Sequence, residues 1–365
     1  MGSAALYELA GRGYRVLGLE QYSIPNSLGS SHGETRILRV AYFEDSRYVP
    51  LALAASDLWR KLERDCHESI FFRTGSIDSG LPTGELFRGS LRSCKDHQLD
   101  HRVLTSKELA REFPGYRLPE GFLSVYQPDG GVLLSEQCIK VYVNGSIRRG
   151  ADIRTNERVL SWERAGTRLV VKSSVSEYET ERLVICAGPW IPKLISGFVH
   201  AVRPERQVMG WFRPLREDIF CPDRFPPCNL EFEDEHLYAI PTFGKSGFKC
   251  GVSHHLRESI DPDSTSRSCT AKDERVIRRS CERVFPEGLG ETVELRTCIY
   301  SNTKDRHFLL GFISNDPSVI VAAVCSGHGF KFASLVGEII AELVGHGSSR
   351  HDISMFATDR FDGVP

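Results

Sequence analysis

No two cysteines in the chain are spaced C-x-x-C, although its 365 residues include 11 cysteines. The count is odd, and several cysteines sit in apolar strand-like runs, Cys186 and Cys325 among them. This favours reduced, buried thiols over a disulfide framework, and no clustered ligand spacing suggests a metal site. Long basic runs are also missing, and the formal net charge is −2. Neither nucleic acid nor an anionic membrane surface is therefore expected as a partner. No apolar stretch is long enough to cross a bilayer. The N-terminus lacks the basic start and apolar block of a signal peptide, and residues 362–365 do not form a peroxisomal address. An intracellular, cytoplasmic protein is the expectation. Internal repeats and low-complexity segments are absent too. With 41% hydrophobic and 26% charged residues, an ordinary globular core is within reach. The length allows two domains or one large one.

Residues 3–11 place Ala5, Leu6, Leu9 and Ala10 at helical spacing, and Gly11 and Gly13 stop the helix. The apolar run 15–19 reads as a buried parallel strand closed by Glu20. Helix, tight turn and strand ending in an acid form the second half of a dinucleotide-binding unit, in which the acid meets ribose hydroxyls. An ordinary helix–strand pair with a surface Glu has the same pattern. A complete unit begins with a strand and two further glycines, which admit the pyrophosphate. This chain opens at Met1-Gly2, so Gly2 stands as the last glycine of that fingerprint.

The run 30–39 is polar, follows the strand by a short loop and carries His32, Arg36 and Arg39. Arginines so placed suit phosphate or carboxylate binding, and a charged surface loop is the alternative. Residues 50–64 read as an amphipathic helix with a structural role. Near the C-terminus, a central-strand pattern (318–324) leads into a turn containing Gly327, Gly329 and Lys331, and then into a helix (332–344). Strand, glycine turn and helix aim backbone N–H groups and a positive dipole end at a ligand. Lys331 opposes that dipole, and a residue that breaks a local rule hints at function.

Four segments in this order, 30–36 (SSHGETR) with Arg39, 184–190 (VICAGPW), 296–303 (RTCIYSNT) and 326–331 (SGHGFK), resemble signature segments of the monomeric sarcosine oxidase family. That family includes pipecolate oxidases and N-methyltryptophan oxidases, and the resemblance covers nearly the whole chain. It implies an α/β (α+β overall) fold. A Rossmann-like FAD-binding domain would be drawn from 1–72, 130–203 and 299–365. A discontinuous antiparallel-sheet substrate domain would be drawn from 73–129 and 204–298. It further implies FAD bound covalently through Cys298, whose other reading is a buried strand thiol. Lys249 would face the flavin and speed its reaction with O2; a lysine in an apolar strand is otherwise costly unless it snorkels. Arg39 and Lys331 would bind the substrate carboxylate, and Tyr238 would belong to the active site. His32, Thr35 and Arg36 would lie near the flavin ring, and Glu20 would hold the ribose.

The implied activity is oxidation of a secondary amino acid (sarcosine, pipecolate or an N-methyl amino acid) to an imine, with O2 reduced to H2O2 by a monomer. Other FAD-dependent amino-acid or glycated-amino-acid oxidases or dehydrogenases of the same fold, and an inactive remnant that binds no flavin, are the alternatives. Four departures from the family pattern stand out, one of them Gly311, where relatives usually have an acid. Ser253, followed by His254 and His255, occupies the place of a family histidine. Leu6 stands where a small residue usually lets helix and strand pack closely. The chain as it opens lacks the first strand and first two glycines, so a shortened sequence with poor FAD affinity is expected.

Overall fold

Helical spacing at the start of the chain produces the helix Gly2–Gly11, and the acid-terminated run produces the strand Leu17–Glu20. The computed structural model describes residues 1–361 except positions 234, 245, 315 and 325, so Cys325 lies outside the described residues. Leu17–Glu20 pairs in parallel with Asp152–Thr155, as a strand of a dinucleotide-binding unit should. The large Leu6 is accommodated by the strand beside it. A Cβ on Gly18 would stand 2.8 Å from Leu6 Cδ1, so the small residue has moved from helix to strand. Gly18→Val is therefore expected to cost about 1–3 kcal/mol by overpacking. Leu6→Ala in the same chain should recover part of that loss in a denaturant titration.

The C-terminal pattern folds as expected, with boundaries moved by about two residues. Strand Asp316–Ala323 lies between Leu183–Ile185, parallel to it, and Leu309–Ile313, antiparallel. A short 3-10 turn, Phe330–Phe332, leads into helix Ala333–His346. That helix and helix Tyr48–Cys66, which ends on a left-handed His67, enclose one core with Gly2–Gly11. Trp59, Leu335 and Ile340 are fully buried there, and burial of a large apolar side chain contributes about 1.5–3 kcal/mol.

A separate nine-stranded sheet carries the central part of the chain. Its middle runs Thr292–Asn302, Arg203–Phe212, Phe248–Val252, His236–Ile240 and Cys228–Glu231, all antiparallel, then Ser76–Gly80 in parallel. Side chains alternate between its faces. Phe248, Cys250, Val252 and Leu230 enter a second core with Phe225 and Phe285, packed against helix Ala271–Cys281. Lys249, Tyr238 and Cys298 consequently take the opposite face, which fronts a cavity. Among the described residues no helix is long and apolar enough to cross a membrane.

Candidate active site

One cavity of about 2040 Å³ runs from the first helix and strand to the front of the large sheet. Gly2, Glu20, Thr35, Arg36, Arg39, Tyr238, Lys249, Cys298, Gly327, Gly329 and Lys331 all line it. Residues up to about 330 positions apart in sequence thus meet through the pairing of strands.

The loop 30–36 is pinned from two sides. Glu136, at the start of helix Ser135–Arg148, accepts the N–H groups of Gly33 (2.7 Å) and Glu34 (2.8 Å). From the sheet, Lys249 Nζ donates to the carbonyls of Gly33 (2.7 Å) and Thr35 (2.9 Å). Arg36 donates to the carbonyls of Thr35 (2.8 Å), Ser30 (3.0 Å) and His32. Arg36 and Lys249 therefore have backbone oxygens as hydrogen-bond partners, and Glu136, whose charge acts on both, is itself hydrogen-bonded to the loop's N–H groups.

Arg39 and Lys331 form a second pair. Arg39 Nη2 meets Glu44 Oε1 at 2.5 Å, and its guanidinium lies 4.0 Å from the Tyr42 ring. Burial works to lower the Arg39 pKa, but Glu44 and Tyr42 outweigh it and the net shift is upward. Burial likewise pushes Glu44 up, yet Arg39 brings it down to about 2. Lys331 Nζ donates to His328 O (2.6 Å) and to the Tyr42 hydroxyl (3.2 Å). The same hydroxyl contacts His328 Nδ1 at 2.8 Å. Burial first, then Arg39, pulls Lys331 well below the ordinary lysine value. Among the described residues, Arg39 alone of Arg36, Arg39, Lys249 and Lys331 has a carboxylate partner within ion-pair distance.

His32 behaves differently from the rest of its loop. It is 2% exposed but does not line the cavity, and among the described residues neither ring nitrogen has a hydrogen-bond partner. Burial, then Arg36, brings its pKa down to about 4, so the ring is neutral at ordinary pH. Its carbonyl accepts from Arg36, and its side chain is buried away from the cavity lining.

Strand Phe248–Val252 pairs without a bulge, and Ser253 N continues the ladder to His236 O (2.8 Å). Ser253 therefore shares the face of Lys249 and, like Lys249, lines the cavity. His254 lines the cavity but is held by Glu205 (2.9 Å), and His255 is buried against Asp273 (3.0 Å). Neither histidine slips into the place held by Ser253. Tyr300, Glu44 and His328 line the cavity without having been expected as site residues. Tyr300 was open to discovery, since it lies two residues past Cys298 on one strand and so shares its face.

Comparison with known proteins gives a consistent set. A family model described as FAD dependent oxidoreductase matches residues 1–343. Monomeric sarcosine oxidase of Bacillus sp. (strain NS-129) is 35% identical over 99% of this chain and 94% of its own length. N-methyl-L-tryptophan oxidase of Yersinia pestis (strain Pestoides F) is 30% identical over 99% of this chain and 96% of its own. Among solved structures, NikD, an amino acid oxidase essential for nikkomycin biosynthesis, superimposes with a TM-score of 0.83 at 22% identity. That match covers 97% of this chain and 94% of NikD.

Proposed function

Since the chain belongs to the FAD-dependent oxidoreductase family that includes monomeric sarcosine oxidase and N-methyl-L-tryptophan oxidase, we propose that it oxidises a secondary amino acid to an imine at this cavity. The carrying observation is a set of four basic side chains lining one cavity, Arg39, Lys249 and Lys331 buried and Arg36 half-buried, only one of them paired with a carboxylate among the described residues. Such a site selects anions.

The residues fit FAD. Ser30 Oγ and Ser301 Oγ are buried, belong to cavity-lining residues and have no hydrogen-bond partner among the described residues. Glu20 spends Oε1 on Tyr22 N (2.9 Å), which leaves Oε2 for ribose hydroxyls. Gly2, Thr35, Arg36, Gly327, Gly329 and Lys331 would hold the remainder, with the binding portion drawn from 1–72, 130–203 and 299–365. Bound there, the flavin supplies a two-electron acceptor. Arg39 and Lys331 would fix the substrate carboxylate, and Tyr238 would bound the amine. The amine loses two electrons and two protons, water hydrolyses the imine, and O2 takes the electrons to become H2O2. Lys249, a cation on the sheet face, would meet negative charge developing on dioxygen.

Anaerobic mixing of the flavin-loaded protein with sarcosine, pipecolate or N-methyltryptophan should bleach the flavin absorbance with at least one of them. Air should restore the colour with formation of peroxide. Failure of every secondary amino acid to bleach it would sink this reading. Cys298 is a buried thiol at the cavity wall, 3.8 Å from Ser30 O, and attachment of the flavin there is part of the proposal. Acid precipitation should leave yellow colour with the wild-type pellet and release it to the supernatant from Cys298→Ser. Colour released from both proteins would refute attachment.

A further inference from the structure

The large sheet carries a polar row of which the reading above uses only Tyr238. Asp78 pairs with Asn229, Asn229 with Tyr238, and Tyr238 with Gly251, so the four stand side by side on adjacent strands. Tyr238 lies across Gly251, where a Cβ would stand 2.5 Å from its hydroxyl. Asn229 and Tyr238 line the cavity, whereas Asp78 is buried behind them at 3% exposure.

The Asp78 carboxylate fixes Asn229. One oxygen accepts the Ser90 hydroxyl (2.7 Å) and the other accepts Asn229 Nδ2 (2.9 Å). Burial raises the Asp78 pKa, with Arg39, Asn229 and Ser90 acting against it; while ionised the carboxylate can only accept, and the amide's NH2 group faces it. Its Oδ1 is then turned toward the cavity as an acceptor that cannot flip into a donor. His236, two residues from Tyr238 on the same strand face, lines the same wall. An oriented carbonyl set against an alkyl group would lose its hydration with no return, whereas a donor restores the hydrogen bond. A wall meant for a bare alkyl group would be apolar here.

We propose that Asn229 is a specificity-determining residue, oriented by Asp78 as a positioning residue. The preferred substrate is a secondary amino acid that carries a hydrogen-bond donor, a hydroxyl or an amine, on the group lying against Asn229. This rests on the amino-acid oxidase reading above and narrows its substrate class.

The test uses the flavin-loaded enzyme and matched secondary amines: N-(hydroxyethyl)glycine and N-(aminoethyl)glycine against N-propylglycine, and N-methylserine against its ethyl-side-chain isostere. One donor-bearing member at least should exceed its alkyl partner in kcat/KM by about tenfold or more, chiefly through KM. Which member wins tells hydroxyl from amine. Asn229→Leu should collapse that ratio or invert it, and Asp78→Asn should erode it because the amide is no longer pinned. A ratio within a pair is insensitive to a loss of folded enzyme, which lowers both members equally. Alkyl preference in the wild type, or a ratio untouched by Asn229→Leu, overturns the proposal. If no amine is oxidised, the function reading fails by itself, and glycolate against propionate, titrated into the flavin-loaded protein, still decides this one. Tighter glycolate binding that is lost in Asn229→Leu supports the acceptor, and equal binding overturns it.

Discussion

Arg39→Met is expected to lower kcat/KM for any carboxylate-bearing amine by about a thousandfold or more, through loss of a charge-assisted anchor and of the orientation it gives. The substitution does a second thing, which must be separated from the first. Arg39 is buried and Glu44 nearly so, 2.5 Å apart, and deleting one partner of such a pair leaves the other charge unpaired at a cost of up to about 3–5 kcal/mol. Glu44 shows where the cost lies. Its folded pKa of about 2 lies below the ordinary 4.5, burial pushing up and Arg39 pulling down more strongly. A depressed carboxylate contributes stability that is present above its unfolded value and is lost as pH falls toward the folded one. Without Arg39 the depression disappears, so the variant should lose stability at neutral pH and show less further loss between pH 4.5 and 2. Adding Glu44→Gln removes the stranded charge. The double variant should regain most of the thermal stability but none of the substrate affinity. Recovery of kcat/KM along with Tm would mean that Arg39 only holds the fold.

The elements of this fold were legible because their signals are local. Residues 3–11, 50–64 and 332–344 carry helical spacing, and 318–324 is an uninterrupted apolar run. Each formed the expected element within about two residues. Lys249 was legible as an anomaly, a charge set between Phe248 and Cys250 that both enter a core. What stayed hidden depends on register and on loop direction. Nothing near Asn229 in sequence announces Asp78, which lies about 150 residues earlier and meets it only through a parallel strand pair. Gly18 compensates Leu6 across an interface that spacing alone does not define. In the glycine-containing loop, the sequence cannot say which side faces inward. Arg36 and Thr35 reached the cavity, and His32 did not.

Lys249→Met should divide the two halves of the catalytic cycle. Met matches the length of the lysine stem, and its neighbour across the pairing, Trp211, lies 5.1 Å from Nζ, so an apolar side chain has a surface to pack on. On the proposed reading, flavin reduction by the amine relies on Arg39 and Lys331 rather than on Lys249, and it should stay within a few-fold of wild type. Reoxidation by O2 should slow by about a hundredfold to a thousandfold, the range for removing one preorganised donor from a site of developing negative charge. The pH dependence supplies an independent check. Burial first, then Arg36, pulls the Lys249 pKa well below the ordinary 10.5. A lysine with a lowered pKa keeps its charge only below that value. Wild-type reoxidation should therefore be fast at low pH and fall as pH rises through the lowered pKa, while the variant's slow rate stays level. Lys249 also holds the loop through the carbonyls of Gly33 and Thr35, and a purely structural role makes the opposite prediction. Loosening that loop would displace Arg36 and the substrate cations together. Both half-reactions would then decline in stopped-flow traces, thermal stability would fall with them, and the pH profile would keep its shape at reduced height. A selective, pH-levelling loss of the oxygen reaction is thus the signature of charge at Nζ.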